Sequence, residues 1–386
     1  MTEISSRLTR RSPSARGILG VMVIVTLALY LAGCSTLAKK GDTGVVVARR
    51  AQIRSSTAVV AANLLEVARN DQLDILDTSS VPDTGEKWLR VRAHNEESTE
   101  GWIEARNVMP DTVLESSRKL KEEDKDTPAQ ATGQLHASSN LRLTPDRGSN
   151  DNIMMKLDSG STFEIVGWKR VPKPGASETI ESDTAPKPGS GPASSPKGKK
   201  DADAEKEPEE PNELWYKVRL APTISPAPAG WIYGKQVELT VPSDIIFYRT
   251  GREFVAWRKI DDDAAEESEA NSGKGVQKET KPGSWVILEK SSSREPHKVD
   301  EPDFDRIYVL GYDKHNQEHY TGYRSPDLQG FLPLRVEGRN PNKTFTVRVK
   351  DESGQIKDAQ YSLYRDDRGV LRVAAPGEAA KVKKRR

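Results

Sequence analysis

An internal repeat in the first two thirds of the chain constrains the fold more than any other feature. Residues 44–110 and 132–240 contain the same four short segments in the same order. Self-similarity of this kind predicts two copies of one structural module. The matched segments are Ile53-Arg54-Ser55 with Leu141-Arg142-Leu143, Leu73-Asp74-Ile75-Leu76 with Phe163-Glu164-Ile165-Val166, Trp88-Leu89-Arg90-Val91-Arg92 with Trp215-Tyr216-Lys217-Val218-Arg219, and Gly101-Trp102-Ile103 with Gly230-Trp231-Ile232.

The second copy is longer because of one insertion. From Arg54 to Trp88 is 34 positions, whereas from Arg142 to Trp215 is 73, so the second copy carries 39 extra residues. Residues 172–211 account for them, and this stretch is rich in Pro, Gly, Ser, Lys and Glu. It has too little apolar surface to offset the entropy of ordering it. We therefore predict a disordered loop inserted at a surface turn, where extra length costs little.

Apolar residues within each copy alternate with period two. Leu89 and Val91 fall on one side of a predicted strand, and Trp88, Arg90 and Arg92 fall on the other. Short, half-buried antiparallel strands separated by turns, with no convincing helix, are typical of a small and strongly bent barrel. The predicted fold class is therefore mainly β, with two such barrels.

The rest of the chain divides around the repeat. Residues 111–131 are charged and predict a linker or a short exposed helix. Residues 241–376 contain further β-like segments, among them 245–249, and end in an antiparallel meander, which predicts a third β domain of unknown role. Residues 377–386 form a basic tail, for which a solvated terminus is the preferred interpretation over contact with an anionic polymer.

The order of residues in the repeat resembles the bacterial SH3-like domain. That family runs from an early L-x-V-R segment through a Gly-Asp turn to a W-x-x-V strand and a closing G-W-I/V strand. The turn corresponds to Asn70-Asp71 in the first copy and Gly160-Ser161 in the second. Asparagine tolerates a positive φ nearly as well as glycine does, so Asn70 fits that turn. The resemblance implies two SH3-like barrels, which in secreted proteins commonly bind peptidoglycan.

The N-terminal 33 residues have the layout of a secretion signal. Four arginines precede an apolar run over 17–32, and small residues follow. Its 16 residues are fewer than the roughly 20 that span a bilayer. Leu31-Ala32-Gly33-Cys34 resembles the lipobox of bacterial lipoproteins. The resemblance implies cleavage before Cys34, a diacylglyceryl thioether and further acyl chains such as palmitate on that residue, and a tether over 34–43. An ordinary buried cysteine in a signal anchor is the alternative.

Composition limits the compartment and the partners. Cys34 is the only cysteine, so the folded part is predicted to hold no disulfide. The net charge of +1 supplies no general attraction for nucleic acid, and we expect none to be bound. Acyl chains make the membrane a partner, because two or more hold a protein stably. Ser35 after the cysteine resembles the residue that permits sorting to the outer membrane, facing the periplasm, in a diderm host.

Two clusters are predicted to bind a ligand. An aromatic ring beside cations can stack on a peptide or a sugar and pair with stem-peptide carboxylates. The alternative is that each tryptophan packs against an arginine stem. Trp102 and Trp231, in the closing strands, are expected to be core residues. The clusters are Trp88, Arg90 and Arg92 in the first copy, and Trp215, Lys217 and Arg219 in the second.

The sequence gives little support for catalysis or for a cofactor. His315, Glu318 and His319 match the H-x-x-E-H pattern of inverted zincins, but zinc binding there requires a helix, and the tyrosine-rich flanks predict a hairpin loop over 313–319. The leading hypothesis is a non-catalytic, lipid-anchored envelope protein that binds peptidoglycan or another wall component. An envelope scaffold that binds a protein partner is the alternative, and a zinc hydrolase is a remote one.

Overall fold

The computed structural model describes residues 42–82, 85–174, 210–249, 251–261, 281–293, 296–340 and 342–378. This part of the chain consists of four antiparallel sheets and is mainly β, which confirms the predicted fold class. The predicted signal segment, Cys34, most of the insertion and most of the basic tail lie outside the described residues. Within the ranges given above, no helix is long and apolar enough to cross a bilayer.

The first module is a seven-stranded sheet in the order β3-β2-β6-β5-β4-β1-β7. Its strands are β1 (Asp42–Val46), β2 (Arg50–Arg54), β3 (Asn63–Ala68), β4 (Gln72–Ser80), β5 (Lys87–Ala93), β6 (Glu100–Glu104) and β7 (Val108–Pro110). All seven strands contribute to one apolar core, in which Val46, Ile53 and Ile103 are fully buried. The sheet therefore curls around its own core.

The second module repeats this topology. Its sheet has the order β10-β9-β13-β12-β11-β8-β14, which is the order of the first module with seven added to each strand number. This identity confirms the internal repeat. The strands are β8 (Ala131–Leu135), β9 (Ser139–Arg142), β10 (Ile153–Leu157), β11 (Thr162–Pro172), β12 (Asn212–Arg219), β13 (Ala229–Tyr233) and β14 (Val237–Leu239).

Within the repeat, the turns agree with the expectations from the sequence, whereas the tryptophans of the closing strands do not. Asn70 and Gly160 adopt φ values of +75° and +82°, so the equivalent turns require the residue types found there. Ile103 is a core residue, as is its counterpart in the second module. Trp102 and Trp231 are only half-buried, which corrects the expectation that they lie in the core, because neighbours along a strand face opposite sides.

The insertion leaves and re-enters the second module at the end of one hairpin. Pro172 of β11 pairs with Asn212 of β12, and the backbone N–H of Lys173 donates to the carbonyl of Pro211 at 3.0 Å. The hydrogen bonds between β11 and β12 therefore continue up to the residues where the inserted stretch begins and ends.

A helix joins the modules, which is one of the two alternatives expected for residues 111–131. Helix α1 (Asp111–Glu123) buries Leu114 in a core that contains Met109 of the first module and residues of the second. The buried hydroxyl of Ser117 donates to the carbonyl of Ala229 at 2.6 Å and accepts from its N–H at 3.1 Å. The alternative of a short helix is therefore present over Asp111–Glu123, but its expected exposure is corrected, because Leu114 and Ser117 are buried.

The C-terminal region is two four-stranded sheets. Residues 245–249 are not a strand: a short 3-10 helix, Ile246–Tyr248, forms there, and the N–H of Tyr248 donates to the carbonyl of Ile245 at 3.0 Å. The predicted meander at the end is confirmed. The strands are β15 (Arg252–Lys259), β16 (Trp285–Ser291), β17 (Arg306–Asp313) and β18 (Glu318–Arg324) in one sheet, and β19 (Gly330–Glu337), β20 (Lys343–Lys350), β21 (Ile356–Arg365) and β22 (Leu371–Ala374) in the other.

Strand β16, in the sheet formed by β15 to β18, is buried on both faces. Trp285 and Ile287 of β16 pack with the core of the second module, whereas Val286 and Leu288 pack with the last sheet. The buried side chain of Gln130 adds a polar link, since its Oε1 accepts from the N–H of Leu334 at 2.6 Å. The second module and the C-terminal sheets therefore share continuous packing.

Candidate functional site

Trp88 is buried, with 3% of its surface exposed. The guanidinium of Arg54 lies 5.7 Å from the ring centroid. Arg54 also donates to the carbonyls of Val59 at 2.6 Å and Ala58 at 3.0 Å, so it holds the loop between β2 and β3 over the indole. The alternative in which this tryptophan packs against an arginine is confirmed. The expectation of a ring open to a ligand is corrected, because the ring is buried.

Trp215 is equally enclosed in the second module. It has no exposed surface, and its ring lies 5.6 Å from that of Tyr233. Arg142, the counterpart of Arg54, donates from Nη1 to the carbonyl of Ser149 and to Oδ1 of Asn152, both at 2.8 Å. This bonding fixes the loop between β9 and β10 in the same way. Trp215 is therefore a structural residue in this conformation.

Arg90 and Arg92 project from the first module into solvent but are engaged by acids. Arg92 donates to Glu100 at 2.7 Å, and Arg90 reaches the other carboxylate oxygen of the same residue at 3.1 Å. Asp74 and Asp77 stand opposite them on β4. Hydrogen bonds and charge from Glu100 raise the pKa of Arg92, and those from the arginines lower the pKa of Glu100. Three carboxylates offset the two guanidiniums, so this face carries no cationic excess.

The cations of the second module hold the end of α1. Lys217 pairs with Glu123 at 2.8 Å and Asp124 at 2.5 Å, and Arg219 donates to the carbonyl of Thr127 at 2.9 Å. Cations are favoured there because the last carbonyls of a helix carry partial negative charge. Lys217 and Arg219 are thus used within the protein, which corrects their expected exposure to a ligand.

The H-x-x-E-H segment forms the predicted hairpin. Strand β17 ends at Asp313 and β18 begins at Glu318, with Gln317 at a φ of +56° in the loop. His315 and His319 therefore do not share a helix face, and Nε2 of His319 lies 2.8 Å from the carbonyl of Gly283. This geometry contradicts the zinc-hydrolase alternative. Across the residues that the structure describes, no group of three or more His, Cys, Asp or Glu side chains is placed to hold a metal.

A cavity of about 220 Å³ lies between the two modules. It is formed by the β1–β2 connection and the β3–β4 turn of the first module, and by the β10–β11 turn and the β12–β13 connection of the second. The two turns are those with positive φ at Asn70 and Gly160. The lining residues are Arg49, Arg69, Leu157, Asp158, Ser161, Thr223 and Ile224.

Arg69 fixes the geometry of this cavity, which we call the junction cavity. Its Nε donates to the carbonyl of Val47 at 2.9 Å, and its Nη1 donates across the junction to that of Ile224 at 2.7 Å. Burial lowers the pKa of Arg69; the charge of Asp158 raises it, and that of Arg49 lowers it. The two guanidiniums are therefore close enough to repel each other.

The rim of the junction cavity is open and its floor is apolar. Arg49 pairs with Asp158 at 3.1 Å, and these side chains are 78% and 57% exposed. Leu157 is 1% exposed and forms part of the floor. Two cations thus face one carboxylate. The sequence could not have indicated this site, because its residues come from four separate connections that only the packing of the modules brings together.

Comparison with known proteins adds no argument about function. No protein-family model matches the chain, and no curated protein matches it. Among solved structures, a chain described as the structure of NlpC2 from Trichomonas vaginalis is similar at 8% identity with a TM-score of 0.15, over 87% of this chain and 97% of that one. A TM-score this low supports no inference about the fold or the activity.

Proposed function

We propose that this chain is a lipid-anchored, non-catalytic protein of the bacterial cell envelope whose two SH3-like modules bind peptidoglycan or another wall component. The observation that carries the proposal is the combination of Leu31-Ala32-Gly33-Cys34, placed directly after a short apolar run, with a module that occurs twice in the same strand order. The anchor would hold the modules close to a membrane surface, where the wall is within reach.

The packing of the modules supports a binding role for the pair rather than for isolated domains. Helix α1 buries Leu114 between them, and Arg69 crosses the junction to Ile224. Because these contacts fix the junction cavity, the two copies present a single composite surface to a ligand.

A scaffold that binds a protein partner is the second candidate. Val59 and Val60 are 93% and 94% exposed at the tip of the loop between β2 and β3, and Phe247 is 88% exposed on the 3-10 helix. Exposed apolar side chains of this size are typical of protein contacts when they cluster. In this second candidate function the lipid anchor is the same, but the ligand of the modules is a protein.

The anchor is tested by intact mass spectrometry of the full-length chain extracted from cells with detergent. We expect a protein that begins at Cys34 and carries the added mass of a diacylglyceryl group and acyl chains. A protein that retains residues 1–33, with no added lipid mass, would contradict the anchor.

Wall binding is tested by sedimentation of the same detergent-purified chain with isolated sacculi. We expect the protein to pellet with sacculi that have been stripped of protein by protease, and to remain soluble after the sacculi have been digested to fragments. Binding that disappears when the sacculi are stripped of protein would favour the scaffold over the wall ligand.

A further inference from the structure

We propose that the junction cavity binds the terminal carboxylate of a short peptide. The source of the peptide rests on the proposed function, since wall stem peptides carry free carboxylates. The proposal adds a binding site and a ligand class, because the candidate tryptophans are buried and offer no such site. The chemistry itself depends only on the residues of the cavity.

The charges of the cavity favour an anionic ligand. Arg49 and Arg69 face a single carboxylate, that of Asp158, so one positive charge is in excess. The pair between Arg49 and Asp158 is exposed at the rim, and exposed pairs of this kind are worth only about 0–1 kcal/mol. Arg49 can therefore exchange Asp158 for a ligand carboxylate at little cost.

Arg69 is held in position before any ligand arrives. Its bonds to the carbonyls of Val47 and Ile224 use Nε and Nη1. A guanidinium has five N–H donors in a fixed fork, so further donors remain on Nη2. A donor group that is already oriented loses little entropy on binding, and paired guanidiniums are well suited to a planar carboxylate.

The size and floor of the cavity favour a small aliphatic residue next to that carboxylate. The volume of the cavity is about 220 Å³. Cavities for drug-sized ligands begin at about 300 Å³, so this one suits the last one or two residues of a peptide. Leu157 and Ile224 provide apolar contact for a short side chain such as that of alanine.

The site requires both modules. The two arginines belong to the first module, whereas the floor and Asp158 belong to the second. A single copy of the repeat would present only half of the cavity, so the duplication creates a site that neither copy contains.

The proposal is tested by titrating the full-length chain with N-acetyl-alanyl-alanine and with its C-terminal amide, using isothermal titration calorimetry. We expect the acid to bind and the neutral amide to fail. Arg49→Gln should weaken binding of the acid about tenfold, as is usual for loss of a charge-assisted hydrogen bond. Asp158→Asn should strengthen binding several-fold, because it removes the internal competitor.

Arg50→Gln is the matched control. Arg50 is next in sequence, its side chain is also 78% exposed, and it pairs with Glu66 outside the cavity. We expect it to bind like the wild-type protein. The proposal is overturned if the amide binds as well as the acid, or if Arg49→Gln and Arg50→Gln bind alike. Arg69→Gln is a poor test, because it also breaks the bond across the junction.

Sacculus binding separates this inference from the proposed function. If stripped sacculi bind the chain but the dipeptide acid does not, the cavity proposal is wrong and the wall-binding function stands. If the acid binds with the expected variant pattern but stripped sacculi do not, the cavity proposal holds for a free peptide and the wall-binding function is wrong.

Discussion

Replacing Gly101 with alanine should destabilise the first module, and the structure shows why the repeat keeps glycine before each closing tryptophan. A Cβ at position 101 would lie 2.5 Å from the carbonyl oxygen of Arg54 and 2.6 Å from Cγ2 of Ile53. The first is a backbone atom and the second belongs to a fully buried side chain. Neither can withdraw unless β2 moves away from β6.

The expected loss follows from two opposing effects. Forcing an extra methyl group into a packed core costs about 1–3 kcal/mol. Contact with a rigid backbone atom places this cost in the upper part of its range, at about 2–3 kcal/mol. Alanine is favoured over glycine in a strand by about 0.5–1 kcal/mol, which leaves a net destabilisation of about 1–2.5 kcal/mol. With a urea m-value of about 2 kcal/mol per molar, the unfolding midpoint should fall by about 0.5–1.3 M.

Two other glycines provide matched comparisons. At Gly230, the counterpart of Gly101, a Cβ would lie 2.5 Å from Cε of Met154 and 2.7 and 2.9 Å from Cδ1 and Cγ of Leu141. All of these are side-chain atoms, and the methionine end is flexible, whereas the Cβ at position 101 would meet a backbone carbonyl. At Gly167 in β11, a Cβ would meet nothing within 4 Å. Gly230→Ala should therefore cost less than Gly101→Ala, and Gly167→Ala should leave stability unchanged or raise it by up to about 1 kcal/mol.

The assay is urea unfolding of the full-length chain followed by tryptophan fluorescence, with hydrogen exchange of the β2 and β6 amides as a local readout. We expect Gly101→Ala to lower the midpoint and to accelerate exchange in those two strands. If Gly101→Ala and Gly167→Ala unfold at the same urea concentration, the steric reasoning is refuted.

Two further changes test buried polar groups. Ser117→Ala should lower stability by about 1–3 kcal/mol in thermal unfolding, because it leaves the buried backbone groups of Ala229 without a partner, whereas Ser116→Ala on the exposed side of α1 should have little effect. Burial raises the pKa of Glu289, against the opposing charges of nearby arginines, so the folded chain holds this proton more tightly than the unfolded chain and stability falls as pH rises above about 4.5. Glu289→Gln should make the pH profile of denaturation flatter above that value; an unchanged slope would contradict the assignment.

The sequence was sufficient for the architecture of the repeat because short strand patterns depend on local alternation. The sequence was not sufficient to predict which face of a strand is buried by other parts of the chain. Trp102 and Ile103 are neighbours, and only one of them can face the core, yet both are apolar. Trp88 occupies the side of β5 that faces away from Val91, yet it is buried, and the guanidinium of Arg54 lies over its ring. Such long-range contacts leave no periodic signal.

For the candidate binding residues, too, the sequence predicted local features but not contacts between distant segments. Lys217 and Arg219 were correctly identified as cations on a strand, but their partners lie near the end of a helix that follows the first module. Arg49 and Arg69 sit in connections that have no distinctive pattern and gain a role only when two modules meet. A site that is assembled from several connections depends on packing, whereas the proposed lipobox, Leu31-Ala32-Gly33-Cys34, is continuous and can be proposed from the sequence directly.

Pro172 pairs with Asn212 at the end of the β11–β12 hairpin, so the 39 extra residues of the second module are inserted between two paired strand ends. A fluorescent reporter, an affinity tag or an engineered protease site placed within 175–209 would enter and leave at one point. The hydrogen bonds on either side of that point would be kept. This segment is therefore a suitable position for a label, because the strand pairing of the second module would be kept.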